Sequence, residues 1–272
     1  MEGKRVLITG GNSGIGKVTA IELAKLGAEV ILACRDSGKT AAALSEIGAH
    51  GSVVNLPVNL SSLASVRNLA SEFLTRYDRL DVLINNAGTF PSKLTLTDEG
   101  FEAQFGVNHL AHFLLTSLLL DCLKASAPSR VITVTSKMHK NGKLDFDSFR
   151  GETKYNAQAA YGQSKLANVL FAVELAERLE GSGVTSNMLH PGAVRTDIMR
   201  EMPWLVRSVI NLFFIDVAKG AKTSTMLASD PAFSSTSGKY YDQCEPDNYA
   251  DVARDKTLRE RLWQESEAFT AG

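Results

Sequence analysis

Short apolar runs rich in β-branched residues alternate with longer stretches whose apolar positions recur at helical spacing, from residue 4 to about residue 190. Residues 4–9 read as a buried strand ending in glycine. Residues 14–26 carry Ile15, Val18, Ile21, Leu23 and Leu26 on a helical spacing that closes at Gly27. Strands follow at 29–33, 52–58 and 80–85, separated by a helix at 37–47 closed by Gly48 and a helix at 61–77 with Ser61 or Ser62 as its N-cap. A long helix is expected at about 105–124, a strand at 130–135, a helix at about 157–180 and a strand at 184–189. The tail adds a helix at 217–229, a short strand near 239–241 and a helix at 256–269.

Strand–helix alternation of this kind predicts a parallel sheet covered by helices on both faces. Right-handed crossovers make it doubly wound. The expected fold is therefore α/β, a single-domain, Rossmann-type, three-layer αβα arrangement over residues 1–272. After Pro191 the alternation breaks, and residues 193–216 are irregular and lipophilic, with Trp204, Leu205, Val206, Val209, Ile210, Leu212, Phe213, Phe214 and Ile215.

Composition narrows the function. A formal net charge of −1 with no long basic run gives nucleic-acid binding no support. Cys34, Cys122 and Cys244 are far apart and lack metal-ligand spacing, which fits a reducing compartment and argues against a disulfide framework or a zinc site. His109 and His112 share a helix face but have no carboxylate or third histidine beside them, so packing or surface roles are expected and no metal. No signal peptide is visible, and the lipophilic stretches are too short or interrupted to span a bilayer. A cytoplasmic location is expected, with membrane association left open because a natural N-terminal anchor is not excluded.

The chemistry-bearing residues cluster where the predicted strands end. Thr9-Gly10-Gly11-Asn12-Ser13-Gly14-Ile15-Gly16 joins the first strand to the first helix. Such a turn brings backbone N–H groups and a helix N-terminus to a pyrophosphate, and makes Gly10, Asn12, Ser13, Gly14, Ile15 and Gly16 cofactor candidates. The spacing alone also suits a plain tight turn. At the end of the second strand an acid would bind a ribose 2′-OH, whereas an arginine suits a 2′-phosphate. Cys34 stands there, followed by Arg35; Asp36 fits the cap region of the next helix better than the ribose. NADP(H) is therefore expected over NAD(H). Asn85-Asn86-Ala87-Gly88 after the fourth strand offers small residues against a nucleoside, through Asn86, Ala87 and Gly88. After the sixth strand, Pro191, Gly192, Val194 and Thr196 offer backbone to a nicotinamide carboxamide.

Tyr161 and Lys165 stand four apart on one helix face. An ammonium there favours the phenolate, so Tyr161 can give or take a proton as general acid or base, while Ser136 holds a substrate oxygen. A Tyr-x-x-x-Lys pair in isolation is usually an exposed helix pair; Ser136 and the glycine turn change that reading.

In their order these motifs resemble the short-chain dehydrogenases/reductases over nearly the full chain. The resemblance implies that Asn108, in Val107-Asn108-His109-Leu110, completes a catalytic tetrad with Ser136, Tyr161 and Lys165, helping to hold a water in a proton relay to the lysine. It also assigns Tyr161 and Lys165 to the cofactor, together with Asn59 and Leu60. Asn59 stands where the family usually carries an Asp that contacts adenine, and its amide oxygen can accept the same hydrogen bond. The segments 32–36, 108–116, 161–168 and 237–241 resemble the retinol dehydrogenase-like branch.

Residues 193–216 suit a mobile lid over a hydrophobic substrate, a packing or subunit interface, or peripheral membrane contact. The expected substrate is a lipophilic aldehyde, ketone or alcohol, retinoid-like. The rivals are a reductase of a soluble secondary metabolite by the same mechanism and an NADPH-binding regulatory protein without turnover. Relatives of the fold form oligomers through helices equivalent to 105–124 and 157–180; the apolar content of both permits a homo-oligomer, and core burial explains it equally well.

Overall fold

The computed structural model describes residues 1–151, 154–192 and 217–271. Its strands are β1 (Arg5–Thr9), β2 (Glu29–Cys34), β3 (Val53–Pro57), β4 (Val82–Asn85), β5 (Ser129–Val134), β6 (Val184–His190), β7 (Tyr240–Asp242) and β8 (Glu245–Asp247). They form one sheet in the order β3-β2-β1-β4-β5-β6-β7-β8, parallel throughout except for β8. Burial on both faces explains the continuous apolar runs. In β1, Val6 and Ile8 enter one core and Leu7 the other, each fully buried.

The described helices are α1 (Gly14–Lys25), α2 (Gly38–Gly48), α3 (Leu63–Arg76), α4 (Ala103–Ala125), α5 (Ala157–Arg178), α6 (Val217–Ser229) and α7 (Lys256–Thr270). α1, α2 and α6 cover one face of the sheet; α3, α4 and α5 cover the other, with α7 laid over α5. α4 is long and apolar enough to cross a membrane, but 78% of its apolar window is buried inside the protein, as a core helix requires.

Three local features differ from the sequence expectation. α4 is not a plain α-helix: Gly106–Leu110 is a π turn, with Gly106 pressed so close to Thr97 that an added Cβ would fall 2.4 Å from its Cγ2. Ser37, not Asp36, caps α2 by accepting from Thr40 N, while Asp36 accepts from Asn55 Nδ2 at 2.9 Å. β8 was not expected, because Glu245-Pro246-Asp247 is polar, exposed and contains proline. It exists as an edge strand folded back across Gln243 (φ 49°) and Cys244 (φ 70°), the positive-φ pair that a tight hairpin turn needs.

α7 occupies much of the apolar surface that the sequence left open to a subunit contact. Trp263 packs edge-on against Phe113 at 5.0 Å and stacks on Phe171 at 5.9 Å. Ser266 Oγ lies 2.9 Å from His109 Nε2. Arg259 and Glu174, each 4% exposed, form an ion pair at 3.3 Å that fixes the crossing of α7 on α5. The lid expected at 193–216 lies outside the described residues. Trp263→Ala removes the ring contacts to Phe113 and Phe171 that hold α7 and should lower unfolding free energy by about 3 kcal/mol in urea denaturation.

Candidate active site

Every described site residue sits at or beside the C-terminal end of a parallel strand, where open α/β sheets bind ligands. The ends of β1 and β4 are stapled together. Thr9 Oγ1 accepts the N–H groups of Asn86 and Ala87 at 3.0 Å each, and Asn86 Nδ2 donates to Thr9 O at 2.8 Å. Asn85 Nδ2 reaches Thr116 Oγ1 in α4 at 2.9 Å.

The turn between β1 and α1 fits a dinucleotide pyrophosphate. Gly10 takes φ +67°, and a Cβ there would fall 3.0 Å from Ala87 Cβ. A Cβ on Gly16 would fall 2.5 Å from both Gly10 O and Asn86 Nδ2, so only glycine lets α1 approach so closely. Ser13 stands at the N-cap of α1 with no side-chain hydrogen bond, leaving the first N–H donors of the helix to face an anion, whereas α2, α3, α5 and α7 are capped by side chains. Gly14 and Ile15 open α1 itself. Asn12 Nδ2 donates to Thr40 Oγ1 at 2.9 Å, tying the turn to α2.

Arg35 is exposed just past β2. Asp36, with its carboxylate engaged by Asn55, is drawn toward β3. Asn59 Oδ1 accepts from Ser61 N at 3.2 Å, so the amide oxygen expected at adenine already closes its own loop, with Leu60 inside it. Pro191 and Gly192 follow β6, Gly192 with φ +85°. Val194 and Thr196 lie outside the described residues.

At the ends of β4 and β5 the fold brings Ser136, Tyr161, Lys165 and Asn108 together. Lys165, 3% exposed, donates from Nζ to Val134 O at 3.2 Å and lies 5.6 Å from the centre of the Tyr161 ring. A Cβ added to Gly88 would stand 3.5 Å from both Lys165 Nζ and Asn108 Oδ1, so loop, lysine and asparagine meet in one contact shell. Asn108 is fully buried in the π turn. Its Oδ1 accepts from Thr89 N at 2.7 Å, and its Nδ2 donates to Thr89 O at 3.2 Å and to Ser164 Oγ at 3.0 Å. Both amide hydrogens are thus committed to fastening the loop after β4 onto α5.

Burial governs the electrostatics. It pushes Lys165 down to about 8 and Tyr161 up to about 12, with the hydrogen bond to Ser136 pulling the phenol the other way. Among the protein's own groups, desolvation of the phenol is the largest influence on Tyr161. At neutral pH the pair holds a protonated phenol beside a largely protonated amine.

Two supports for Ser136 escaped the sequence reading. His139, fully buried, donates from Nδ1 to Ser136 O at 2.6 Å and accepts the Ala250 N–H on Nε2 at 3.2 Å. The segment after Ser136 is also tied to the β7–β8 hairpin by Lys137–Asp242 at 2.6 Å and Lys140–Asp247 at 3.0 Å. No spacing rule links residue 139 to residue 250. Phe90 was missed as well; it packs edge-on against the Tyr161 ring at 5.1 Å. Among the described residues no cluster of three or more His, Cys, Asp or Glu has metal-binding form.

Residues 4–204 match the family model described as short chain dehydrogenase. The chain belongs to the short-chain dehydrogenase family. It is 46% identical to mouse (Mus musculus) retinol dehydrogenase 14 over 99% of this chain and 86% of that protein, and 47% identical to human (Homo sapiens) retinol dehydrogenase 13 over 97% and 83%. Among solved structures it is similar to an uncharacterized protein from Mycobacterium Paratuberculosis, with TM-score 0.82 and 35% identity over 99% of this chain and 94% of that one. It is also similar to the Pseudomonas aeruginosa RhlG/NADP active-site complex, with TM-score 0.74 and 26% identity over 89% and 95%. As a short-chain dehydrogenase the protein is an oxidoreductase acting on CH–OH and C=O groups, and the family's nicotinamide cofactor fits the glycine turn.

Gly16→Ala forces a Cβ into Gly10 O and Asn86 Nδ2. It should weaken binding of the reduced nicotinamide dinucleotide by about tenfold or more in a fluorescence titration.

Proposed function

We propose that the protein is an NADP(H)-dependent oxidoreductase that interconverts a lipophilic aldehyde or ketone and its alcohol, with Tyr161 as general acid and base. The observation that carries this reading is the convergence of Ser136, Tyr161 and the buried Lys165, whose Nζ lies 5.6 Å from the centre of the phenol ring. A nicotinamide dinucleotide held on the Gly10–Gly16 turn would supply or take up the hydride. In the reducing direction Ser136 holds the carbonyl oxygen and Tyr161 Oη gives it a proton as the hydride reaches the carbon. In the oxidising direction the phenolate takes that proton back. Lys165 steadies the negative charge on the phenolate, and Asn108 holds the loop that shapes the lysine's surroundings.

NADP(H) is preferred because Arg35, exposed past β2 without an ion pair among the described residues, suits a 2′-phosphate, while Asp36 is engaged by Asn55. NADP complexes among related structures support the same choice. A lipophilic substrate is favoured by Phe90 against the Tyr161 ring, by Met138, 36% exposed beside Ser136, and by the retinol dehydrogenases among the relatives. Residues 193–216 are proposed as its lid and 1–272 as one domain.

The test is turnover of retinal, decanal and small polar carbonyls with NADPH or NADH. Lipophilic aldehydes with NADPH should be fastest. Tyr161→Phe should lose essentially all turnover while binding NADPH as the parent does; equal use of NADH, or reduction of polar sugars alone, would overturn the assignment.

Reduction needs the phenol proton, kept up to about 12, and a cationic Lys165, lost above about 8. kcat/KM for reduction should therefore be level below about pH 8 and fall above it. Reduction that climbs through pH 9 would contradict this assignment of charges.

A further inference from the structure

We propose that His112 is a positioning residue for Asn108, joining the cofactor turn to the proton-handling centre through one imidazole ring. The inference rests on the active-site reading above but concerns a residue to which that reading gives no role.

His112 lies on α4 one turn after Asn108 and is 1% exposed. Its Nδ1 is 3.0 Å from Asn108 O, and a carbonyl only accepts, so Nδ1 carries the hydrogen. Its Nε2 is 2.9 Å from Thr9 Oγ1. Burial brings the imidazole down to about 4, so the ring is neutral at working pH and Nε2 is an acceptor. The Thr9 hydroxyl must then donate to Nε2, in preference to its longer 3.4 Å contact with Ile84 O. The oxygen of the same hydroxyl accepts the Asn86 and Ala87 N–H groups. Every hydrogen in the chain has one assigned direction, from the β4 loop to Thr9, from Thr9 to His112 and from His112 to Asn108.

The consequence lies at Asn108. Its side-chain amide is committed to Thr89 and Ser164, and its main-chain carbonyl accepts the His112 N–H. That carbonyl belongs to a π turn, where the regular helical pairing is displaced and direction must be set by other contacts. The His112 N–H takes one lone pair and fixes the orientation of the other. Because the ring is anchored on Thr9, the last residue before the glycine turn, the carbonyl is held in register with the cofactor floor. His109, the neighbouring imidazole, and Lys165 are the titratable groups whose charge bears on the ring.

The experiment compares the full chain with His112→Phe, which fills the volume and removes both hydrogen bonds, and His112→Gln, which restores a donor and an acceptor. kcat with decanal or retinal, the solvent deuterium isotope effect on kcat, the Kd of NADPH and the melting temperature are measured for each. His112→Phe should lower kcat by about tenfold to a hundredfold and enlarge the isotope effect, with Kd within about threefold and folding intact. Thr9 keeps Ile84 O as an alternative acceptor, so the turn survives, and His112→Gln should recover part of kcat. A kcat within about twofold of the parent in His112→Phe, or kcat, affinity and melting temperature falling together in both variants with the isotope effect unchanged, would overturn the inference. Turnover surviving in Tyr161→Phe would overturn the active-site reading instead, so the two failures are distinct.

Discussion

An ammonium group buried without a counter-charge is the constraint around which the centre of this molecule is arranged. No carboxylate among the described residues pairs with Lys165; carbonyl dipoles and a neighbouring phenol take the place of water. Desolvating such a cation costs several kcal/mol unless polar groups are fixed around it beforehand. That requirement explains the small residues at the end of β4 and the packing of α5 directly against β5, where Thr135 Oγ1 bonds the carbonyl of Lys165 itself. It also explains why Asn108 is buried and bonded on both sides of its amide: loop, helix and strand must be rigid if their dipoles are to substitute for solvent.

The sheet and its covering helices were legible in the sequence because each depends on local periodicity. Leu7 between Val6 and Ile8, or Ile15 through Leu26, declares its element without reference to distant residues. The glycine turn and the Tyr161–Lys165 pair were legible for the same reason. What stayed hidden depends on partners far along the chain. The π turn at Gly106–Leu110 sets Gly106 close against Thr97, and no run of residue types announces it. β8 has the composition of a loop and becomes a strand only because β7 lies beside it. His112 reads as a packing or surface residue, and His139 goes unmarked, until the fold sets a carbonyl against one nitrogen of each ring and a donor against the other. Spacing shows which groups neighbour Tyr161 but not how little water reaches it, so the burial that raises the phenol was not legible.

The two longest helices on the Tyr161 side of the sheet show how one apolar face can serve two ends. A face of this kind is read equally well from sequence as core or as a contact between subunits. Here α7 settles part of it from within the chain, through Trp263 and the Arg259–Glu174 pair, and so stiffens the far side of the helix that carries the tyrosine and lysine.

The hydrogen bond from Ala250 to His139 spans 111 residues and holds the carbonyl of Ser136. A growing chain therefore has its serine, tyrosine and lysine in hand long before the hairpin and the residues that follow it exist to steady them. Contacts of such long sequence separation form late and slow folding. Synthesis proceeds from the N-terminus, so the glycine turn is made early, while the segment after Ser136 gains its full support only as the last part of the chain emerges.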